Sequence, residues 1–358
     1  GTYISSVKFK SCTKHKNPPK TFYNRNMRIK QTKEIKNYLK RLQSNIDANY
    51  QNDYLDGYVE PGVEKEAIKE IIASGEQDKI DSLFINKEEY INNPYLKKID
   101  FKNCNQKGFS YETVTIGKGY LFNIDEIQDD KDKELKDYMI LRAYRDDVEM
   151  PFLKQKDKEW MMASISEFRT NDPYAKMAHG KVLTFGLGIG YFVYMALLNE
   201  KVESITVIEK EKEVIELFNL IKDKFPIKPI KIINGDAFNY FNEDFIKQFD
   251  FTYVDIYQNN EDGREIITKL LEQYLPNYDT CKFWIENSCL SIIKTLIYIY
   301  YNDAYHNKKT KLDKSYQPLM NKVRKYFDGI DKEIDDVNTL KEMMYDKKII
   351  REILHTTV

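Results

Sequence analysis

One stretch constrains the fold of this chain more than any other. Residues 181–191 read Lys-Val-Leu-Thr-Phe-Gly-Leu-Gly-Ile-Gly-Tyr, an apolar run leading into glycines at 186, 188 and 190. An amphipathic run follows, so the pattern predicts strand, tight turn and helix start. Glycine suits such a turn for two reasons. It adopts positive φ without strain, and its missing Cβ lets a ligand approach the backbone. The free N–H groups at the helix start can then hydrogen-bond an anionic group such as a carboxylate.

Three further strand ends fall into line behind this turn. Ser204–Ile208 ends at Glu209, whose carboxylate can accept from both hydroxyls of a ribose. Ile230–Ile233 ends at Asn234-Gly235-Asp236-Ala237, and Phe251–Val254 ends at Asp255. Ligands of open α/β sheets sit beyond the carboxyl ends of the strands. The dinucleotide fingerprint G-x-G-x-x-G is not met, because Tyr191 stands where its last glycine belongs.

G-x-G-x-G, an acid ending the second strand, Gly-Asp-Ala after the third and Asp after the fourth together resemble the class I S-adenosylmethionine-dependent methyltransferases. The wording VESITVIEKEKEVIEL and INGDAFNYF is most similar to their spermidine-synthase-like branch. The resemblance covers roughly residues 155 to 290, under half of the chain. It implies an α/β, Rossmann-like sheet with helices on both faces and S-adenosylmethionine as cofactor. Gly186, Leu187, Gly188 and Gly190 would receive the amino-acid part, and Glu209 the ribose. Asp236 and the Ala237 N–H would take the adenine, and Tyr191 or Phe185 would pack near the sulfonium. Asp255 would orient or deprotonate the acceptor. Glu167, just ahead of the first core strand, and Tyr257, two residues past Asp255, are candidate substrate contacts.

Two departures from the family pattern bear on activity. Thr184 stands where class I methyltransferases often carry an acid, and Ile189 stands where aminopropyltransferases carry an aspartate for an amine. The second favours ordinary S-adenosylmethionine and methyl transfer to an unknown acceptor, with a small molecule favoured. An aminopropyltransferase-like activity and a non-catalytic S-adenosylmethionine-binding protein are the alternatives. Asn171-Asp172-Pro173-Tyr174 looks like the Asp-Pro-Pro-Tyr box of amino-methyltransferases. It reads instead as a polar turn before the first strand.

The flanks divide the chain into 1–150 and 151–358. The first is expected to be helical, over about 61–74 and 78–83, with a β-hairpin at about 109–124 and a helix near 135–144. The second carries the cofactor domain and a helical extension over about 290–358, with no hairpin to form a sixth and seventh strand. Residues 1–41 hold many Lys and Arg against one acid, Glu34, as a contact for nucleic acid or as a solvated arm. Nucleic acid is the less favoured partner, since the net charge is −1. The four cysteines form no C-x-x-C pair, and no metal-ligand spacing occurs, so a cytoplasmic protein without a metal is expected. No apolar run is long enough to span a bilayer.

Overall fold

A computed structural model describes residues 25–52, 84–102, 108–120, 122–125, 139–156 and 158–358. The helices expected over 61–74 and 78–83 lie outside these residues, as do residues 1–24 of the basic arm.

The central sheet is built from β1 (Gly180–Phe185), β2 (Val202–Glu209), β3 (Ile230–Asn234), β4 (Phe251–Val254) and β5 (Cys281–Phe283). Its order is β3-β2-β1-β4-β5, and every neighbouring pair is parallel. This is the Rossmann-like architecture, and among the described residues the sheet has no sixth or seventh strand. The chain fills one side of β1 first and then crosses to the other. The order therefore reverses between β1 and β4, which is the switch point where open α/β sheets bind ligands. The register aligns the strand ends: Asn234 pairs with Glu209, Phe185 with Ile208, and Val254 with both Phe185 and Phe283.

The strands hold this order because they are apolar on both faces, as parallel strands must be. Val182, Leu183, Phe185, Val207, Phe251, Tyr253 and Val254 are all fully buried. The helix Ile165–Met177 precedes β1 and is labelled α1; the helix Tyr191–Leu198 follows the glycine turn and is labelled α2. Ser164 caps α1 by accepting the Glu167 N–H at 3.2 Å.

The Asn171-Asp172-Pro173-Tyr174 segment is not a turn, as its polarity suggested, but lies inside α1. Its polar side chains are satisfied within the protein. Asn171 donates from Nδ2 to the Glu167 carbonyl at 2.9 Å and accepts from the Tyr253 hydroxyl at 2.9 Å. The segment does not end a strand, so the amino-methyltransferase box remains excluded.

Two regions ahead of the sheet differ from expectation. Phe109–Ile116 does not form a hairpin with Phe122–Asp125. It pairs antiparallel with Val148–Gln155, which in turn pairs with Lys158–Met162. Phe122–Asp125 pairs instead with Met139–Tyr144, where a helix was expected. The turn at Gly117-Lys118-Gly119 is tied elsewhere: Gly119 N–H donates to the Tyr144 carbonyl, and Lys118 N–H to Asp147. Those bonds lead the chain away from its own preceding strand.

The chain forms two compact units. One comprises 58–129 and 138–289; the other comprises 1–57, 130–137 and 290–358. In the second, Arg28–Ile29 pairs in parallel with Glu333–Ile334. The helix Lys33–Asn52 packs beside Ser291–His306, with Gln43 accepting from the Tyr298 hydroxyl at 2.7 Å. In 290–358 the helices Ser291–His306, Gln317–Asp328, Val337–Tyr345 and Lys347–His355 are joined by loops and that short strand. Among the described residues no helix is long and apolar enough to cross a membrane.

Candidate active site at the β1–β4 switch point

All three glycines of the turn lie in the left-handed region, with φ of +94° at Gly186, +51° at Gly188 and +79° at Gly190. A side chain is excluded at Gly186 on space as well. A Cβ there would lie 1.9 Å from the Asp255 carbonyl oxygen. The turn thus sits directly against the end of β4. At Gly188 a Cβ would lie 2.9 Å from the Met161 sulfur, so the strand Lys158–Met162 passes over the turn. Gly186 and Gly188 remain half-exposed, whereas Gly190 is buried.

The turn closes through the Gly190 N–H, which donates to the Leu187 carbonyl at 2.8 Å. Gly186 N–H donates to Ile208. Among the described residues the Gly188 and Ile189 N–H groups have no hydrogen-bond partner, so donors for an anionic ligand group are present.

Glu209 stands where the sequence placed it, at the C-terminal end of β2. Its carboxylate holds the turn in place. Oε2 accepts the Leu187 N–H at 3.0 Å, and Oε1 accepts the Glu211 N–H at 2.8 Å. Burial raises its pKa, and these backbone donors oppose the rise. Each carboxylate oxygen can accept more than one hydrogen bond, so two sugar hydroxyls remain compatible with this arrangement.

Asp236 caps the short helix Ala237–Tyr240 through the Phe238 N–H at 3.0 Å, and its other oxygen lies 3.4 Å from the Lys210 ammonium. Ala237 is buried beside it. Asn234 Nδ2 donates to the carbonyls of Glu209 and Lys210, which locks the ends of β2 and β3 together. The residues expected to take ribose and adenine therefore share one edge.

Asp255 N–H donates to the Phe185 carbonyl at 2.9 Å, which places it beside the glycine turn at the switch point. Its carboxyl is half-buried and feels the charge of Glu167 on α1. Burial raises the Asp255 pKa well above the usual carboxylate range, and the nearby Glu167 charge raises it further. Burial pushes Glu167 up to about 7. Two carboxyls in mutual repulsion retain a proton more readily than either would alone.

Three candidates are placed differently from expectation. Tyr191 does not border the cleft. It is 1% exposed, stacks on Phe168 at 4.6 Å, donates to Asp172 at 2.7 Å and accepts from Asn93 at 2.8 Å. Phe185 is fully buried against Phe241 at 5.7 Å. Neither ring is available to a sulfonium in this arrangement. Tyr257 is buried too, its hydroxyl donating to the Trp284 carbonyl. Aromatic residues next to a glycine turn look like ligand contacts in sequence, but here their large apolar area is used in the core.

Met161, in the segment just before α1, lies over Gly188, and sequence reasoning missed Trp284, whose indole N–H donates to Thr170 at 2.8 Å. Ile285 follows Trp284 with φ +39°, an uncommon conformation for a β-branched residue, at the same end of the sheet. Nothing in the local pattern marks Trp284 and Ile285.

No protein-family model and no curated protein matches the sequence. Similar solved structures include a spermidine synthase from Thermotoga maritima, at 18% identity and a TM-score of 0.24. That match covers 38% of this chain and 52% of that one. A SAM-dependent methyltransferase, by description, from Streptococcus mutans shares 13% identity over 46% of this chain and 45% of its own, with a TM-score of 0.29. Shikimate dehydrogenase from Mycobacterium tuberculosis shares 15% over 44% and 60%, with a TM-score of 0.21. The chain thus spans less than two thirds of each. Scores this low carry no argument about chemistry, and a transferase and a dehydrogenase can share such a scaffold.

Proposed function

We propose that this chain is an S-adenosylmethionine-dependent methyltransferase acting on a small molecule. The observation that carries the reading is the glycine turn packed directly against the end of β4, where Asp255 stands half-buried. The exposed backbone at Gly186 and Gly188 and the recessed Glu209 fit the amino-acid and ribose parts of the cofactor. Bound there, S-adenosylmethionine would supply an already activated methyl group.

The chain's own residues then have limited chemistry to perform. They hold the acceptor in line and control one proton. Asp255 receives the proton of an acceptor amine or hydroxyl, while Glu167 raises its affinity for that proton. Met161 and α1 limit access of water from one side. Acceptors rich in phosphate are disfavoured, because two carboxyls stand at the reaction point. Asp and Glu also outnumber Lys and Arg in the unit that carries the turn.

Aminopropyl transfer is the weaker reading. The Ile189 side chain, at the position of the amine-holding aspartate, is 3% exposed and apolar.

Calorimetry with S-adenosylmethionine and its homocysteine product is the first test. Asp255→Asn keeps the shape and removes the base. Cofactor affinity should stay within a few-fold, and turnover should fall roughly 10²-fold or more once an acceptor is found. Absence of binding to either compound by the folded wild-type protein would overturn the reading.

A further inference from the structure

The glycine turn is held from a direction that no motif announces. The short helix Pro94–Lys98 lies against α2, and its Tyr95 is fully buried. The Tyr95 phenol donates to the Ile189 carbonyl at 2.5 Å. Its ring meets Tyr191 and Tyr194 edge-on, at 5.2 and 5.5 Å. Its own N–H is held by Asn93 Oδ1 at 2.9 Å, and Asn93 Nδ2 reaches the Tyr191 hydroxyl, which is bound to Asp172. Burial keeps the phenol protonated, so it remains a donor across the ordinary pH range.

The peptide group between Ile189 and Gly190 is planar, so fixing its carbonyl also fixes its N–H. That N–H is the one that closes the turn on Leu187. Closing the turn is what leaves the Gly188 and Ile189 N–H groups without partners at its rim. Tyr95 therefore acts on the ligand-binding donors at one remove.

We propose that Tyr95 is a positioning residue, which sets the Ile189–Gly190 peptide so that the glycine turn is preformed for its ligand. For the identity of that ligand the inference rests on the function proposed above; for the geometry of the turn it does not.

The test compares Tyr95→Phe with Tyr301→Phe. Tyr301 is equally buried, and its hydroxyl donates to the Leu340 carbonyl at 3.1 Å, in the other compact unit. Each variant leaves one carbonyl unsatisfied, so both should lose thermal stability to a similar degree. Only Tyr95→Phe should speed hydrogen exchange in a peptide spanning residues 183–192, measured by mass spectrometry on the ligand-free protein. Only Tyr95→Phe should also weaken S-adenosylhomocysteine binding, by about tenfold. Equal exchange in the two variants would overturn the proposal, whatever ligand the protein binds. Faster exchange in Tyr95→Phe, with no S-adenosylhomocysteine binding by wild type, would uphold the positioning role and overturn the proposed cofactor.

Discussion

Glu167 shows how one side chain links the site to stability. Its carboxyl is pushed by burial from the usual 4.5 to about 7 in the folded chain. Between those two pH values the folded state binds more protons at this position than the unfolded state. The linkage then runs opposite to that of an ordinary salt-bridged carboxylate. Stability contributed by protonated Glu167 is present at acid pH and is lost as pH rises from about 4.5 to about 7. Asp255 shifts in the same direction and is pushed further by Glu167. We expect Glu167→Gln to flatten this dependence and to be more stable than wild type at pH 8. Urea midpoints measured from pH 4.5 to 8 check this; parallel curves for the two proteins would remove Glu167 from the coupled pair. The sequence named both acids separately, but their proximity depends on α1 crossing to the β4 end of the sheet.

The strand–turn–helix element was legible because its chemistry is local. Alternating glycines after an apolar run specify a turn, and each of the three adopts the conformation that glycine favours. Its tolerance of change should follow. Gly186→Ala meets a strained φ worth roughly 1–3 kcal/mol, and in addition a backbone oxygen at 1.9 Å. Gly117→Ala meets nothing within 4 Å. Thermal denaturation should therefore show Gly186→Ala strongly destabilised and Gly117→Ala nearly unchanged. A mild effect at Gly186 would mean that β4 can retreat from the turn. The hairpin expected at 109–124 failed for the complementary reason. Alternation identified the strand Phe109–Ile116, but its partner, Val148–Gln155, lies some thirty residues further on. Local pattern gives a strand its faces and not its neighbour.

At the scale of the whole molecule, the described N-terminal segment belongs with the C-terminal helices. Met27, Ile35, Leu42 and Ile29 are buried, and the Tyr38 hydroxyl lies 3.9 Å from the Met344 sulfur. Leu42 is fully buried, so Leu42→Ala should cost roughly 2–5 kcal/mol. A loosely attached basic arm would lose less than about 0.5 kcal/mol on the same change. Chemical denaturation distinguishes the two. The sequence by itself determined the turn, four of the five strands of the parallel sheet and the acids at their ends. Those follow from periodicity, glycine geometry and strand termination, all set within about ten residues. Only the tertiary structure decided that Tyr191, Phe185 and Tyr257 serve the core, that Glu209 staples the turn, that the Glu167 charge reaches Asp255, and that the N-terminal helix Lys33–Asn52 joins the C-terminal unit. Each depends on packing between segments far apart in the chain, where burial and long-range hydrogen bonds outweigh local preference.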